Sequence, residues 1–226
     1  MGNHSFSKLN TFSAAQQMFV PKDLTSIFET GSIRKMARGT YVYVPEEAAD
    51  KIFLIKQGRV KLGTYGKEGR EITKNIFAAG TIFGESALIG ENTRHNFAYT
   101  MESTTLVVVS VSEFQAQLRK YPSLSQQILE LIGKRLIATE QRLESMIFKN
   151  SRSRIIEFLH QLGKQQGQRV GYEMLVRKFL THQEIANLTA TSRQTVTTIL
   201  NELRNDNILT FNRKRLPIRD MDKLAS

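Results

Sequence analysis

The spacing of hydrophobic residues changes character along the chain. Residues 1–36 carry apolar side chains at mixed helical spacing, interrupted by Pro21 and Gly31, and this pattern predicts a helical start. Between Gly39 and Val111, short runs of β-branched and aromatic residues are separated by glycine-marked turns, which predicts an antiparallel barrel or roll. The predicted strands lie at 41–44, 51–55, 59–62, 71–77 and 105–109.

The pattern becomes helical after this β region. A short helix from Ser112 to Lys120 is predicted to end before Pro122, and a long helix is predicted from about 123 to 149. Its apolar stripe comprises Ile128, Ile132, Leu136, Leu143 and Met146. A helix between two domains must bury such a stripe, either in a dimer seam with a second copy of the chain or against its own β region.

The remaining chain predicts a smaller α+β domain. Ser151 to Leu162 is amphipathic at helical spacing, and Gly163 is predicted to end that helix. Residues 164–179 predict two short strands. Residues 208–211 and 216–218 predict a final hairpin with a basic tip.

Two short helices are predicted between Thr181 and Asp206. Thr181 and Glu184 have the spacing of a capping box, and Thr191 or Ser192 can cap the second helix. That helix carries Val196, Ile199, Leu200 and Leu203 on one face. The opposite face is polar and carries Arg193, Gln194, Thr197, Thr198 and Asn201. The pattern favours a helix-turn-helix over an ordinary helical hairpin, because solvated faces usually carry Lys and Glu, whereas Arg and Gln bond guanine and adenine.

Charge and composition narrow the function classes. Residues 150–226 hold 13 Lys and Arg against 7 Asp and Glu, a net of +6 out of +11 for all 226 residues, which suits an anionic polymer partner. The absence of cysteine excludes disulfides and cysteine-ligated iron–sulfur clusters. No apolar run is long enough for a membrane span, and the start lacks signal-peptide character, so we expect a cytoplasmic protein with no membrane partner. No catalytic triad, metal cluster or P-loop is readable, so we expect no enzyme.

The order of β-roll, long helix and basic winged helix-turn-helix resembles the CRP/FNR family of bacterial transcription regulators over nearly the full chain. The specific matches are Gly-Thr-Ile-Phe-Gly-Glu at 80–85, Arg94, and Thr-Ser-Arg-Gln-Thr-Val at 191–196. The resemblance implies an α+β fold with a cyclic-nucleotide-binding-like double-stranded β-roll and the dimerisation helix in residues 1–148, and a winged helix-turn-helix in residues 149–226. It also implies a homodimer that binds two-fold symmetric double-stranded DNA, more often as an activator acting through RNA polymerase.

The resemblance also suggests which residues contact DNA. Arg193 falls where family members read guanine, Gln194 stands where cyclic-AMP-binding members have Glu, and Thr198 stands where they have a second Arg. These two departures predict that the DNA half-site differs from the one that those cyclic-AMP-binding members read. The expected DNA contacts are Thr181, Ser192, Arg193, Gln194, Thr197 and Thr198, with Arg213 and Lys214 at the wing. Ala190 occupies the turn position where Gly is usual, and a left-handed backbone there would cost on the order of 1 kcal/mol.

An effector site in the roll is implied in the same way. The matching or neighbouring positions are Gly84, Glu85, Ser86, Arg94, His95 and Thr139. Three residues in or next to these positions depart from the nucleotide-binding pattern. His95 replaces a hydroxyl residue, Asn96 a small residue, and Glu140 a second hydroxyl residue. The effector is therefore left open between a cyclic nucleotide, an unrelated ligand, and a roll with no ligand. A further alternative is an effector-binding module whose C-terminal helical domain binds protein rather than DNA.

Overall fold

The computed structural model describes residues 22–69 and 71–224. The elements are α1 (Lys22–Thr25), β1 (Ser32–Met36), β2 (Tyr41–Tyr43), β3 (Lys51–Gln57), β4 (Arg59–Tyr65), β5 (Glu71–Ala78), β6 (Ile82–Phe83), β7 (Phe97–Thr100), β8 (Thr104–Ser110), α2 (Val111–Lys120), α3 (Pro122–Phe148), α4 (Ser151–Gln166), β9 (Gly167–Val170), β10 (Glu173–Arg177), α5 (His182–Thr189), α6 (Arg193–Asn205) and β11 (Arg215–Ile218). Short 3-10 turns cover Ser26–Phe28, Lys67–Gly69 and Glu85–Ile89.

The β-strands of the first half form two four-stranded antiparallel sheets. One sheet has the order β1-β8-β3-β6 and the other β2-β7-β4-β5. Alternate side chains of both sheets meet in an aromatic-rich core that includes Tyr43, Phe53, Phe77 and Phe83. This arrangement confirms the predicted β-roll.

The first sheet is buried on its other face as well. Ile52 and Leu54 of β3 pack there against α1, α2 and the first half of α3. Because both faces are covered, β3 is a nearly continuous apolar run rather than an alternating one. Ile128 is 6% exposed in this cluster and Ile132 packs beside it, so this part of the α3 stripe lies against the chain's own roll and not in a dimer seam.

The long helix agrees with the prediction to within one residue at each end. Its second half carries Leu136 and Leu143, each 58% exposed, and Ile147, 66% exposed. The described residues divide into two compact units, one ending at Arg135 and the other beginning at Leu136, so the division falls inside α3. The domain boundary expected from the sequence, with the DNA-binding domain beginning at residue 149, stays a prediction.

Two predictions of secondary structure are wrong. Residues 32–36 form strand β1 and not a helix, because they pair with β8 in the register Ser32 to Val108. Gly163 lies inside α4 and does not end it. A Cβ at Gly163 would come within 2.8 Å of Ile218 Cδ1, so the glycine serves close packing. The helical interpretation of residues 1–21 lies outside the described residues.

The C-terminal unit contains a three-stranded antiparallel sheet of order β11-β10-β9 and the helices α4, α5 and α6. Strands β9 and β10 confirm the hairpin predicted in residues 164–179. The last predicted hairpin is present in part, since Leu209 makes only an isolated bridge to Ile218 of β11. Together these elements confirm a winged helix-turn-helix.

Candidate DNA-binding surface and effector site

Helix α5 begins with the predicted capping box. Thr181 Oγ1 accepts a hydrogen bond from the Glu184 backbone N–H at 3.2 Å, and Glu184 Oε2 accepts one from the Thr181 backbone N–H at 2.7 Å. The two side chains thereby satisfy two backbone donors at the helix start. Thr181 remains exposed, so its position on the surface does not conflict with the expected DNA contact.

The turn between α5 and α6 has a left-handed residue at its centre. Ala190 has φ 50° and ψ 52°, and its N–H donates to Ala186 O. The Thr191 N–H donates to the same carbonyl at 3.0 Å. Ala186 itself is fully buried, so the two helices pack closely at this point. Ala190 therefore occupies the strained conformation considered from the sequence.

Helix α6 presents its first residues to solvent. Ser192 caps the helix by accepting from the Thr195 N–H at 3.0 Å. Arg193, Gln194 and Thr198 are exposed, whereas the apolar residues of the opposite face are buried. The only carboxylate within α6, Glu202, forms a salt bridge with Arg152 of α4. The exposed N-terminal end of α6 is thus polar and carries a cation.

Thr197 is held inside this surface. Its hydroxyl donates to Arg193 O at 2.9 Å, and its Oγ1 also lies 2.8 Å from His182 Nδ1. Because the single hydroxyl proton is given to the carbonyl, His182 Nδ1 is the donor in the second contact. Burial, followed by the nearby Arg193 cation, lowers the pKa of His182. His182 also contacts Phe211 edge-to-face at 5.5 Å, so it connects α5, α6 and the segment leading to the wing.

The wing carries a compact basic tip. Asn212 Oδ1 accepts from the backbone N–H groups of Lys214 and Arg215, both at 2.9 Å. This side-chain-to-backbone turn leaves Arg213, Lys214 and Arg215 exposed. The structure therefore presents the two predicted wing residues together with a third cation.

Two arginines at the helix-turn-helix were missed from the sequence. Arg142 of α3 donates to Leu188 O at 2.8 Å. Arg154 of α4 donates from Nε to Thr189 O at 2.9 Å and from Nη2 to Ala190 O at 3.0 Å. Nothing in the local pattern signals these contacts, because they depend on how helices distant in sequence pack.

In the roll, Gly84 and Arg94 lie against each other. Gly84 has φ 88°, a conformation that requires glycine, and precedes the 3-10 turn that begins at Glu85. Arg94 is only 3% exposed, and it donates to Gly84 O at 3.2 Å and to Lys51 O at 2.5 Å. Its guanidinium stands 4.5 Å from the centre of the Tyr43 ring. Burial lowers the pKa of Arg94, although the group stays a cation at neutral pH.

Glu85 has a partner that the sequence did not identify. Arg135 of α3 forms a salt bridge with Glu85, donates to Ile82 O at 2.5 Å and covers the Phe77 ring at 4.9 Å. The available signal was the position of Arg135 four residues before Thr139, one helical turn away. Burial raises the pKa of the Tyr43 hydroxyl, which also experiences the charges of Arg94, Glu85 and Arg135. Gly84, Glu85, Arg94 and these added residues therefore share one neighbourhood.

The other predicted effector residues are less closely joined. Ser86 is half-buried on the 3-10 turn, and His95 is exposed with Nε2 at 2.7 Å from Glu91 Oε2. His95 is thus paired within its own loop. Thr139 is exposed on the part of α3 that belongs to the C-terminal compact unit. Lys74, which was not predicted, adds a cation bonded to Asn96 Oδ1 at 2.5 Å.

Within residues 22–69 and 71–224, none of the helices has both the length and the apolar character needed to cross a bilayer. The same described residues contain no cluster of three or more His, Asp or Glu side chains suited to hold a metal ion.

Comparison with known proteins gives matches over both halves of the chain. Residues 33–121 match the cyclic nucleotide-binding domain family, and residues 153–226 match the Crp-like helix-turn-helix domain family. The chain is 29% identical over 188 residues to the CRP-like cAMP-activated global transcriptional regulator of Mycobacterium tuberculosis, covering 83% of this chain and 84% of that protein. It is 28% identical over 203 residues to the global nitrogen regulator of Synechococcus elongatus, covering 86% and 91%.

Among solved structures, the chain is similar to a mutant of CooA from Carboxydothermus hydrogenoformans. The TM-score is 0.79 at 26% identity, and the alignment covers 94% of this chain and 98% of that one. The curated relatives are transcription regulators and not enzymes.

Proposed function

The chain belongs to the CRP/FNR family of DNA-binding transcription regulators, and on that premise we propose that it acts as a homodimer on a two-fold symmetric site, with Arg193 and Gln194 reading base edges. The observation that carries this assignment is the exposed, carboxylate-free N-terminal end of α6. In helix-turn-helix proteins that end of the second helix enters the major groove.

The chemistry of this end supports specific reading. The Arg193 guanidinium can donate two hydrogen bonds to guanine O6 and N7, and the Gln194 amide can pair with adenine N6 and N7. Thr198 is one helical turn further on and has a shorter reach. Thr197 acts indirectly, because its hydroxyl is already bonded to His182 and to Arg193 O and so orients the start of α6.

Phosphate contacts are assigned to residues flanking this end. Thr181 and Ser192 stand at the N-termini of α5 and α6, where backbone N–H groups and the helix dipole favour an anion. Arg213 and Lys214 extend from the wing tip. These contacts position the protein, whereas α6 supplies the specificity.

The dimer is proposed to form along α3. Leu129, Leu136 and Leu143 are exposed at seven-residue intervals, and Ile147 continues the same stripe four residues later. A seven-residue apolar repeat is the pattern that pairs two helices in a coiled coil. Two recognition helices related by the resulting two-fold axis suit a palindromic DNA site. RNA polymerase as a further partner, and a place in the bacterial cytoplasm, are proposed on family membership.

The test is a selection of bound sequences from random DNA, followed by affinity measurement over a range of salt concentrations. We expect a palindromic site, an affinity that falls steeply with salt, and a loss of about 1–3 kcal/mol for Arg193→Ala at the base pair that it reads. Arg119→Ala, which removes an exposed cation from α2, is the matched control and should bind as the wild type does. Recovery of no preferred sequence, with salt-insensitive binding, would favour the alternative in which the C-terminal domain binds protein.

A second proposal concerns the roll, where the favouring observation is the isolation of Arg94. Among the described residues it forms no salt bridge, although it is 97% buried. A buried cation that lacks an anionic partner is costly, and an anionic ligand would supply that partner. The negative charge of Glu85 acts on Arg94 without a direct salt bridge, because the Glu85 carboxylate is bonded to Arg135.

We therefore propose that the roll takes an anionic effector, with cyclic nucleotides as the first candidates and Gly84, Glu85, Ser86 and Arg94 as its binding residues. Calorimetric titration with cyclic AMP and cyclic GMP tests the nucleotide form of the proposal, with Arg94→Lys as the weakened variant. Saturable heat that Arg94→Lys reduces supports it. No heat at millimolar nucleotide with folded protein removes cyclic nucleotides and leaves other anions to be screened by thermal shift.

A further inference from the structure

At the end of α5, the backbone carbonyls of Leu188, Thr189 and Ala190 have no donor within the helix. Leu188, Thr189 and Ala190 come after the last residue whose carbonyl has an intrahelical donor, Ala186. Arg142 and Arg154 supply the missing donors at 2.8–3.0 Å. Cations at a helix C-terminus also complement its partial negative charge. The turn of the helix-turn-helix is therefore held by side chains from two other helices.

The same contacts fix the last turns of α3. Arg154 donates from Nη1 to Lys149 O at 2.7 Å, so it joins the C-terminal ends of α3 and α5. Glu157 of α4 pairs with Lys149 Nζ at 2.8 Å and accepts a hydrogen bond from the buried Ser145 hydroxyl at 3.3 Å. Arg142, Ser145 and Lys149 recur at helical spacing, so one face of α3 is bonded to the DNA-binding domain.

Another face of these turns is apolar and exposed. Leu143 and Ile147 are 58% and 66% exposed and lie one turn apart on α3. At 100° per residue, they are roughly 100–160° around the helix from Arg142 and Lys149. The segment that carries the proposed dimer seam on one side therefore carries the attachment of the helix-turn-helix on the other.

We propose that Arg142 is a positioning residue that sets the distance and rotation between the two recognition helices of the dimer, and thereby selects the half-site spacing of the DNA. The inference rests on the proposed function as a dimeric DNA-binding regulator. In this proposal Arg142 acts by fixing the Leu188 carbonyl, and with it the turn before α6, to the dimer helix. Arg154 holds the same turn to α4, so the turn stays folded when Arg142 is changed.

The experiment compares Arg142→Met and Arg142→Lys with the wild type on a matched series of DNA duplexes. The series contains the selected palindrome, versions with one or two base pairs added or removed between the half-sites, and a single half-site. Each added base pair rotates the second half-site by about 34–36° and moves it by about 3.4 Å. Affinity across the series therefore measures how the two recognition helices of the dimer are placed relative to each other. Lys134→Met removes an exposed cation from the same helix and is the matched control.

For the wild type we expect one preferred spacing. Arg142→Met should bind the preferred duplex about tenfold more weakly, keep wild-type affinity for the single half-site, and discriminate less between spacings. Arg142→Lys should recover part of the preference, and Lys134→Met should keep all of it. Thermal unfolding and sedimentation equilibrium establish that each variant is folded and dimeric.

A wild-type spacing profile in Arg142→Met would overturn the inference. An equal loss on every duplex, the half-site included, would also overturn it, because that pattern reports general destabilisation of the domain. Absence of sequence-specific binding by the wild-type protein would instead overturn the proposed function itself, so the two failures are distinguishable.

Discussion

Replacement of Ala190 by glycine should stabilise the protein. Ala190 is exposed, so removing its methyl group sacrifices little packing. Its φ of 50° and ψ of 52° put Cβ close to the following carbonyl oxygen, and this contact costs roughly 1–2 kcal/mol in an L-residue. Glycine relieves that strain at the centre of the helix-turn-helix.

The net gain is smaller than the strain, because glycine also gains freedom in the unfolded chain. That entropic term opposes folding by about 0.4–1 kcal/mol. The difference leaves a stabilisation of about 0.5–1 kcal/mol for Ala190→Gly. For a protein of this size, the expected rise in Tm is roughly 1–4 °C.

The assay is urea unfolding followed by circular dichroism, with equal slopes required for wild type and variant. Ala138→Gly is the matched control, since Ala138 lies in the interior of α3, where glycine should cost about 1 kcal/mol. Opposite signs for the same chemical change would isolate the backbone conformation as the cause. A variant Ala190→Gly that is less stable than the wild type would refute the strain at this turn.

Three further outcomes follow from individual contacts. Thr181→Ala should lower the free energy of unfolding by about 1 kcal/mol, measured by urea titration, because the Thr181 hydroxyl caps α5. Thr181→Ser keeps the hydroxyl and should be as stable as the wild type. An unchanged stability in Thr181→Ala would contradict this role of the cap. The pKa values of His160 and His182 are lowered mainly by burial, so the unfolded chain binds more protons below about pH 6.5. Stability should be full above that pH and fall as the pH drops toward the folded-state values, with a shallower fall in His182→Gln; a rise on acidification would have the wrong sign. Leu136→Asp should give monomers by sedimentation velocity, because a carboxylate in the proposed seam is desolvated on pairing; persistence of a tight dimer would move the seam elsewhere.

The features that could be predicted from the sequence are those that local chemistry determines. The start of α5 follows from Thr181 and Glu184, whose side chains exchange hydrogen bonds with each other's backbone three residues apart. Helix α6 follows from Ser192 and the spacing of its four buried apolar residues. Both signals lie within a few residues of the structure that they cause.

The features that were missed depend on distant partners. Strand β1 has four exposed residues out of five, so no alternation identifies it; it exists because it pairs with β8 about 75 residues later. From the sequence, Gly163 looks like a residue that ends a helix. In the structure it lies inside α4, where the side chains of Ile218 and Met221 leave no room for a Cβ. Ile128 belongs to the same apolar stripe as Leu136, and only the position of the roll decides that one is buried and the other exposed.

The candidate sites divide in the same way. Arg193, Gln194 and the wing cations are readable because they are exposed polar residues at defined positions of local motifs. Arg135 and Arg142 are not, because each is a helix residue whose role comes from a carboxylate or carbonyl contributed by another part of the fold. Their charge alone does not distinguish them from the exposed Lys134 on the same helix.

Helix α3 links the two proposals because adjacent positions serve different partners. Arg135 is bonded to Glu85 of the roll, and the next residue, Leu136, belongs to the exposed apolar stripe. An anionic effector that competes with Glu85 for Arg135 would therefore act one residue away from the proposed dimer seam. The same arrangement recurs two turns later on α3. Arg142 is bonded to the turn of the helix-turn-helix, and the next residue, Leu143, belongs to the exposed apolar stripe. A change in how two α3 helices pair is thus expected to reach the recognition helices through Arg142, without any rearrangement inside the DNA-binding domain.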